Sequence, residues 1–263
     1  MILGAFGSQI AAVLGALIVG LSLGLLGSGG SILTVPLLVY LVGHTEKASI
    51  AESLAIVGMI SGAGALRRLP RREIVTSALL TFGIASMVGT FVGAAFAESV
   101  SGVAQILLLG CIMVAAATLM FRPPRLEGKP HAPHPALLPL GGLGVGFLTG
   151  LVGIGGGFMI VPSLVLIGGL EMLPAVATSL ALIFLNCVVG FAKYFHTAAG
   201  DSTLRIDWGT IALFGLVGIF GGEIGRHLST RMNQAILRKI FAVFVLVMGI
   251  WIVSREWGKL ASQ

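Results

Sequence analysis

The sequence predicts an all-α polytopic membrane protein: about ten hydrophobic segments in two inverted five-segment repeats. Three observations carry this expectation. They are an apolar composition, an internal repeat at a fixed offset, and an uneven placement of arginine between equivalent loops.

The 263 residues are 56% hydrophobic and 10% charged, with a mean hydropathy of +1.05. Soluble domains carry about 25% charged residues. So few charges cannot cover a water-facing surface, which argues against a soluble enzyme, a nucleic-acid module and a disordered chain together. A membrane helix uses about 20 apolar residues, so ten of them leave only short loops. No soluble domain fits, and the function must sit inside the bilayer. The chain reads as a multi-pass protein of the cell (inner) membrane. The net charge of +6 is assigned to cytoplasmic loops held by Lys and Arg rather than to a nucleic-acid partner. Cys111 and Cys187 lie in apolar runs and read as small hydrophobes. Residues 1–7 carry no Lys or Arg, so no cleaved signal peptide is expected.

Polar, Gly and Pro breaks divide the chain into apolar segments at residues 8–26, 31–42, 48–66, 74–97, 103–121, 137–152, 158–170, 175–194, 208–228 and 236–253. The second and seventh reach only roughly 20 Å, less than a hydrocarbon core of about 30 Å, and are expected to be short or re-entrant. The stretch 122–136, rich in Pro and charge, reads as a cytoplasmic linker between a first repeat (1–121) and a second (137–263).

The repeat is visible without alignment gaps from Gly20 to Ile56 at an offset of 126 positions. Gly20, Gly24, Leu25, Gly27, Gly29 and Gly30 fall on Gly146, Gly150, Leu151, Gly153, Gly155 and Gly156. Val35-Pro36 falls on Val161-Pro162, Gly43 on Gly169, and Ala51, Ser53, Leu54 and Ala55 on Ala177, Ser179, Leu180 and Ala181. Apolar composition alone does not align glycines, a proline and a serine in register. With a three-residue insertion, Gly89 and Gly93 fall on Gly218 and Gly222, and Gln105 on Gln234.

Charge orients the copies. The loop after the third segment holds Arg67, Arg68, Arg71 and Arg72 and is placed in the cytoplasm; its counterpart, residues 196–207, has Arg205 alone among Lys and Arg. Opposite bias on equivalent loops means inverted repeats with an odd number of crossings each. Ten crossings put eleven basic residues inside and both termini outside.

Two glycine-rich breaks, Gly27-Ser28-Gly29-Gly30-Ser31 and Gly153-Ile154-Gly155-Gly156-Gly157, each end a long apolar stretch and open a short one. A helix start presents uncovered N–H groups and partial positive charge, an anion site that needs no basic side chain. Irregular backbone inside a bilayer is tolerated only where protein or a cavity surrounds it. Paired breaks in inverted halves point to a transporter's substrate site; close helix packing is the competing reading.

The doubled Gly-x-Gly-Gly-(Gly/Ser)-x-x-x-x-Pro pattern resembles the TauE/SafE sulfite exporter family. The stretch Ala177-Thr178-Ser179-Leu180-Ala181 and the Gly89/Gly93 and Gly218/Gly222 pairs are also similar, so the resemblance runs from about Gly15 to Val253. It implies a small-anion transporter for sulfur-containing anions or organosulfonates, and export as the direction. The chain departs from the pattern at Ser28 and Ser31, and at Glu52, where the second repeat has Thr178.

A Glu inside a membrane segment is costly and functional by default. Glu52 is therefore a candidate for proton coupling, or else a solvated residue near a helix end. The candidate substrate-binding residues are Gly27, Ser28, Gly29, Gly30, Ser31, Ser53, Gly153, Gly155, Gly156, Gly157, Phe158, Ser179 and Asn186. Asn186 offers two N–H donors, while Ser53 and Ser179 either line the cavity or bond back to their own helices. Glu223 is expected to pair with Arg226. His131 and His134 are too few for a metal site, and no metal or cofactor is expected. Ser28 lacks a base, so catalysis is not expected.

The expected function is alternating-access transport of a small anion such as sulfite or a sulfonate. The expected partners are that anion and the lipid bilayer, with a homodimer as an open option and no nucleic acid. The alternatives are a membrane-embedded enzyme, a non-transporting scaffold, or an anion channel of the same fold.

Overall fold

The computed structural model describes residues 2–26, 29–71, 73–121, 137–200, 205–229 and 234–260. Among them there is no strand. The helices are α1 (Ile2–Leu26), α2 (Thr34–Leu37), α3 (Glu46–Arg68), α4 (Thr76–Ala97), α5 (Gly102–Phe121), α6 (Leu137–Val152), α7 (Gly157–Leu166), α8 (Met172–Gly200), α9 (Trp208–Ser229) and α10 (Gln234–Leu260). Six of them (α3, α4, α5, α8, α9 and α10) are long and apolar enough to cross a membrane. In lipid every backbone polar group must be satisfied within the chain, so apolar runs of this length become helices.

The second and seventh segments are short, as expected. The second is broken into a 3₁₀ helix (Gly29–Leu33), the single turn α2, and a π-helical turn (Leu38–Val42) that stops at Gly43 with φ +87°. The seventh is α7, whose ten residues rise about 15 Å. α8 starts earlier and ends later than the hydropathy suggests. Pro174 lies in its first turn, where a missing N–H costs nothing.

Parallel pairs are formed by α1 with α9 and by α4 with α6, each at backbone contact. A methyl group built on Gly20 would collide with the Gly218 carbonyl, and one on Gly24 with that of Gly222. Equally, Gly146 lies against the Ser86 carbonyl and Gly150 against that of Thr90. In the other direction Gly221 faces Leu17, and Gly225 faces Leu21. The matching contacts are Gly89 on Leu143 and Gly93 on Phe147.

These contacts reset one register. Leu17 and Leu21 precede Leu143 and Phe147 by 126 positions, so Gly89 and Gly93 correspond to Gly221 and Gly225, not to Gly218 and Gly222. The offset in the fourth helix is 132, and the helix starts agree: Thr76 opens α4 and Trp208 opens α9. Glycines recur at 218, 221, 222 and 225, so spacing alone fits either choice.

At the centre α3 packs on α8, with Gly58 near Cys187, Gly62 near Phe184 and Gly64 near Leu180. The descending order makes the two antiparallel. α5 and α10 are also antiparallel, with Gly110 beside Ile252 and Val253, and Met113 and Val114 beside Gly249. Large apolar side chains on α4 (Leu80, Ile84, Phe91) and α9 (Leu216, Phe220) are exposed, which suits a lipid-facing surface.

Charges gather at the two ends. At one, Glu223 pairs with Arg67 and, at 2.5 Å, with Arg226, and Arg68 pairs with Glu73 at 3.3 Å. At the other, Glu98 accepts from Lys193 at 2.6 Å and Thr197 at 2.7 Å, and its carbonyl accepts from Lys47 at 3.3 Å.

Candidate functional site

The second glycine break lies at the middle of the packed helices. Gly153, Gly155 and Gly156 all have positive φ, and residues 153–157 are buried. Gly156, with φ +68°, is the N-cap of α7 and brings no side-chain cap. Its carbonyl accepts from the amides of Met159 and Ile160, both at 3.0 Å. The amides of Gly155, Gly156, Gly157 and Phe158 precede the first intrahelical bonds of α7, and the chain turns at residues 155 and 156. N–H groups at a buried helix start are candidates for an acceptor from outside the helix.

The walls come from α3 and α8. A methyl on Gly155 would lie 2.8 Å from Val57, 3.3 Å from Ile183 and 3.4 Å from Cys187. Ser53 donates to the Gly153 carbonyl at 2.5 Å and is also within 2.8 Å of its own Ile50 carbonyl. The 3₁₀ helix of the first break packs against α7, so the two breaks meet.

Of the expected residues, Gly27 and Ser28 lie outside the described residues. Gly29, Gly30 and Ser31 form the 3₁₀ turn, and Ser31 is fully buried. Ser53 touches the second break directly. Asn186 stands on α8 between Ile183 and Cys187 and accepts from Ser86 at 2.8 Å. Its Nδ2 is buried with no partner. Ser179 donates to the Val176 carbonyl of its own helix at 2.9 Å, and the described contacts do not join it to the loop.

Glu52 is not solvated: it is 0% exposed. Its Oε1 accepts from the Asp207 amide at 2.9 Å, and its Oε2 shares a hydrogen with His44 Nδ1 at 2.6 Å. His44 Nε2 lies 3.8 Å from the Asp207 carboxylate. A hydrogen bond from the Thr210 hydroxyl, with help from the amides of Gly209 and Thr210, holds the Asp207 carboxyl below its ordinary value.

A cleft of ≈ 490 Å³ opens at the arginine-rich end. Gly24, Gly64, Arg67, Arg68, Glu223 and Arg226 are among the residues that line it. The positions 126 residues later are filled. Gly150 accepts from the buried Tyr194 hydroxyl at 3.2 Å, and Gly190 is closed over by Leu54 and Thr90.

Sequence reasoning missed His44 and Asp207 because they stand just outside helices, where polar residues read as boundaries, and Tyr194 because hydropathy falls there although α8 runs on. It also missed Glu256, which is 1% exposed and accepts from Tyr40 at 2.9 Å, with the Arg255 guanidinium 5.0 Å from the Tyr40 ring. A signal was available in the spacing: Tyr194 and Arg68 are 126 positions apart.

The model of the sulfite exporter TauE/SafE family matches residues 12–252. The chain belongs to the sulfite exporter TauE/SafE family. It is similar to proteins named as probable membrane transporters. One from Xylella fastidiosa (strain 9a5c) is 30% identical over 93% of this chain and 95% of its own. One from Bacillus subtilis is 28% identical over 93% and 96%, and one from Methanocaldococcus jannaschii 27% identical over 90% and 94%. No solved structure matches the chain. This TauE/SafE protein is a multi-pass membrane transporter.

Proposed function

We propose that the protein is a secondary transporter, working as an exporter, for a small anion such as sulfite, a sulfonate or another organosulfur anion. The observation that carries this reading is the buried, glycine-rich start of α7, where Gly153, Gly155 and Gly156 have positive φ. The amides of Gly155–Phe158 lie at the start of α7, where the helix dipole adds positive potential. Asn186 Nδ2 supplies a further donor. Among the described residues the site holds no basic side chain, so the anion is bound by neutral dipoles.

We read the two halves as inverted repeats. The reciprocal contacts of α1–α9 and α6–α4 support this, as do counterpart helices that run antiparallel (α3 with α8, α5 with α10). Such repeats exchange roles when access switches from one face to the other. The open cleft beside Arg68 and the closed position at Tyr194 fit one half of that cycle. With the arginine-rich end in the cytoplasm, this conformation faces inward, and Arg67, Arg68 and Arg226 draw anions to its mouth.

Uptake into proteoliposomes of labelled sulfite, sulfoacetate and thiosulfate tests the reading. Saturable flux of at least one, competed by the others, is expected. Fluxes equal to empty liposomes for all three would sink it.

A further inference from the structure

The internal repeat supplies its own control for the cluster around Glu52. At the offset of 126, Glu52 corresponds to Thr178 and His44 to Leu170; at 132, Asp207 corresponds to Val75. Both sites keep one structural bond. The Thr178 hydroxyl accepts from the Val75 amide at 3.0 Å, as Glu52 Oε1 accepts from the Asp207 amide at 2.9 Å. Both sites also keep the left-handed glycine before the loop, Gly43 with φ +87° and Gly169 with φ +64°. One hydroxyl and two apolar neighbours therefore meet what the fold requires at this place. On the other face the same three positions are titratable.

A carboxylate buried in a membrane span is costly, and the cost is not one the fold imposes here. The second oxygen of Glu52 is spent on His44, not on the backbone. Exposure rises along the chain of contacts, from 0% at Glu52 to 21% at His44 and 52% at Asp207, which is a stepwise path to water. The titratable groups acting on Glu52 are His44, from the loop before α3, and Asp207, at the start of α9. On its own helix Lys47 turns away to the Glu98 carbonyl. Arg205, two residues before Asp207, is exposed.

Resting on the transport reading, we infer that Glu52, His44 and Asp207 form a proton-binding site whose proton is the coupling ion for the anion. Loading adds one proton from water, by way of the Asp207 carboxylate and the His44 ring, to the Glu52 carboxylate, which becomes a carboxylic acid. Unloading reverses this, and no other bond changes. The proton is felt at the substrate because the next residue, Ser53, grips the Gly153 carbonyl of the glycine break. The cluster also joins α3 to the start of α9, so its charge state acts on two elements of the moving interface.

Infrared difference spectra of the reconstituted protein read the carboxyl directly. A carboxylic-acid band that comes and goes reversibly with pH is expected in the wild type and absent in Glu52→Gln. In proteoliposomes with the potential clamped at zero, a pH step of one unit should drive thiosulfate or sulfoacetate to about tenfold accumulation for one proton per anion. Glu52→Gln should lose that accumulation and keep anion exchange. The triple variant Glu52→Thr, His44→Leu, Asp207→Val copies the second half and guards against misfolding. It should melt close to wild type, exchange anions, and show no response to pH. If an anion moves but Glu52 does not titrate, or if the gradient drives wild type and Glu52→Gln alike, the proton claim is overturned. If Glu52 titrates and no probe moves in any variant, the transport reading falls and the coupling claim with it.

Discussion

Replacing Gly156 by alanine probes the break at its tightest point. Two costs add. Gly156 has φ +68°, and a left-handed backbone costs an alanine about 1–2 kcal/mol. The new methyl would also fall on Thr149 Oγ1 and within 3.2 Å of Val145 Cγ1. Thr149 cannot turn aside freely, because its hydroxyl donates to the Val145 carbonyl at 2.8 Å, a bond worth about 1 kcal/mol. The sum is roughly 2–3 kcal/mol. Thr149→Ala added to Gly156→Ala removes the collision but leaves the backbone cost, so about half the loss should return. Gly144→Ala is the control: it lies in α6 with nothing within 4 Å of the new methyl and should be neutral or stabilise by up to about 1 kcal/mol. Thermal melting in detergent gives the order: Gly144→Ala at or above wild type, then the double variant, then Gly156→Ala. A single variant as stable as wild type, or a double variant no better than the single, would refute the reasoning.

Three further outcomes follow from the same contacts. Ser53→Ala leaves the Gly153 carbonyl buried without its 2.5 Å donor, which should destabilise the protein by about 1–3 kcal/mol in melting experiments. Tyr194→Phe removes the donor to Gly150 and should raise the labelling rate of a cysteine placed at Gly190 by about three- to tenfold, from a bond worth about 0.5–1.5 kcal/mol; an unchanged rate would speak against a seal there. Glu98 is held below the ordinary glutamate value, first by the hydrogen bond from Lys193 and then by that from Thr197. Its contribution is complete above the ordinary glutamate value and is lost as the pH falls through the lower folded value. Glu98→Gln should therefore weaken the protein at neutral pH and make little difference in strong acid, as read by melting against pH.

Much of the architecture could be read from residues whose spacing is hard to reach by chance. Gly20/Gly146, Pro36/Pro162 and Gly43/Gly169 suggested two halves, and the short runs after each glycine break marked two segments that are short in the structure. The register of the fourth helix was not legible, because α9 carries overlapping Gly-x-x-x-Gly pairs and only contact with Leu17 and Leu21 selects one. The depth of Glu52 was not legible either. Lys47 nearby suggests water, but α3 starts at Glu46 and packs centrally, and Asp207 covers it from a loop 155 positions away. Tyr194 looked like the end of a segment because hydropathy falls there; α8 runs on to Gly200, and the ring turns inward.

On the proposed reading, amides at the start of α7 hold a small anion on its way across the membrane. The most direct measurement is the structure of the protein with the tightest-binding anion of the sulfite, sulfoacetate and thiosulfate panel. Anion density is expected within hydrogen-bond distance of the amides of Gly155–Phe158 and of Asn186 Nδ2. Density confined to the arginine-lined cleft, with those amides empty, would contradict it.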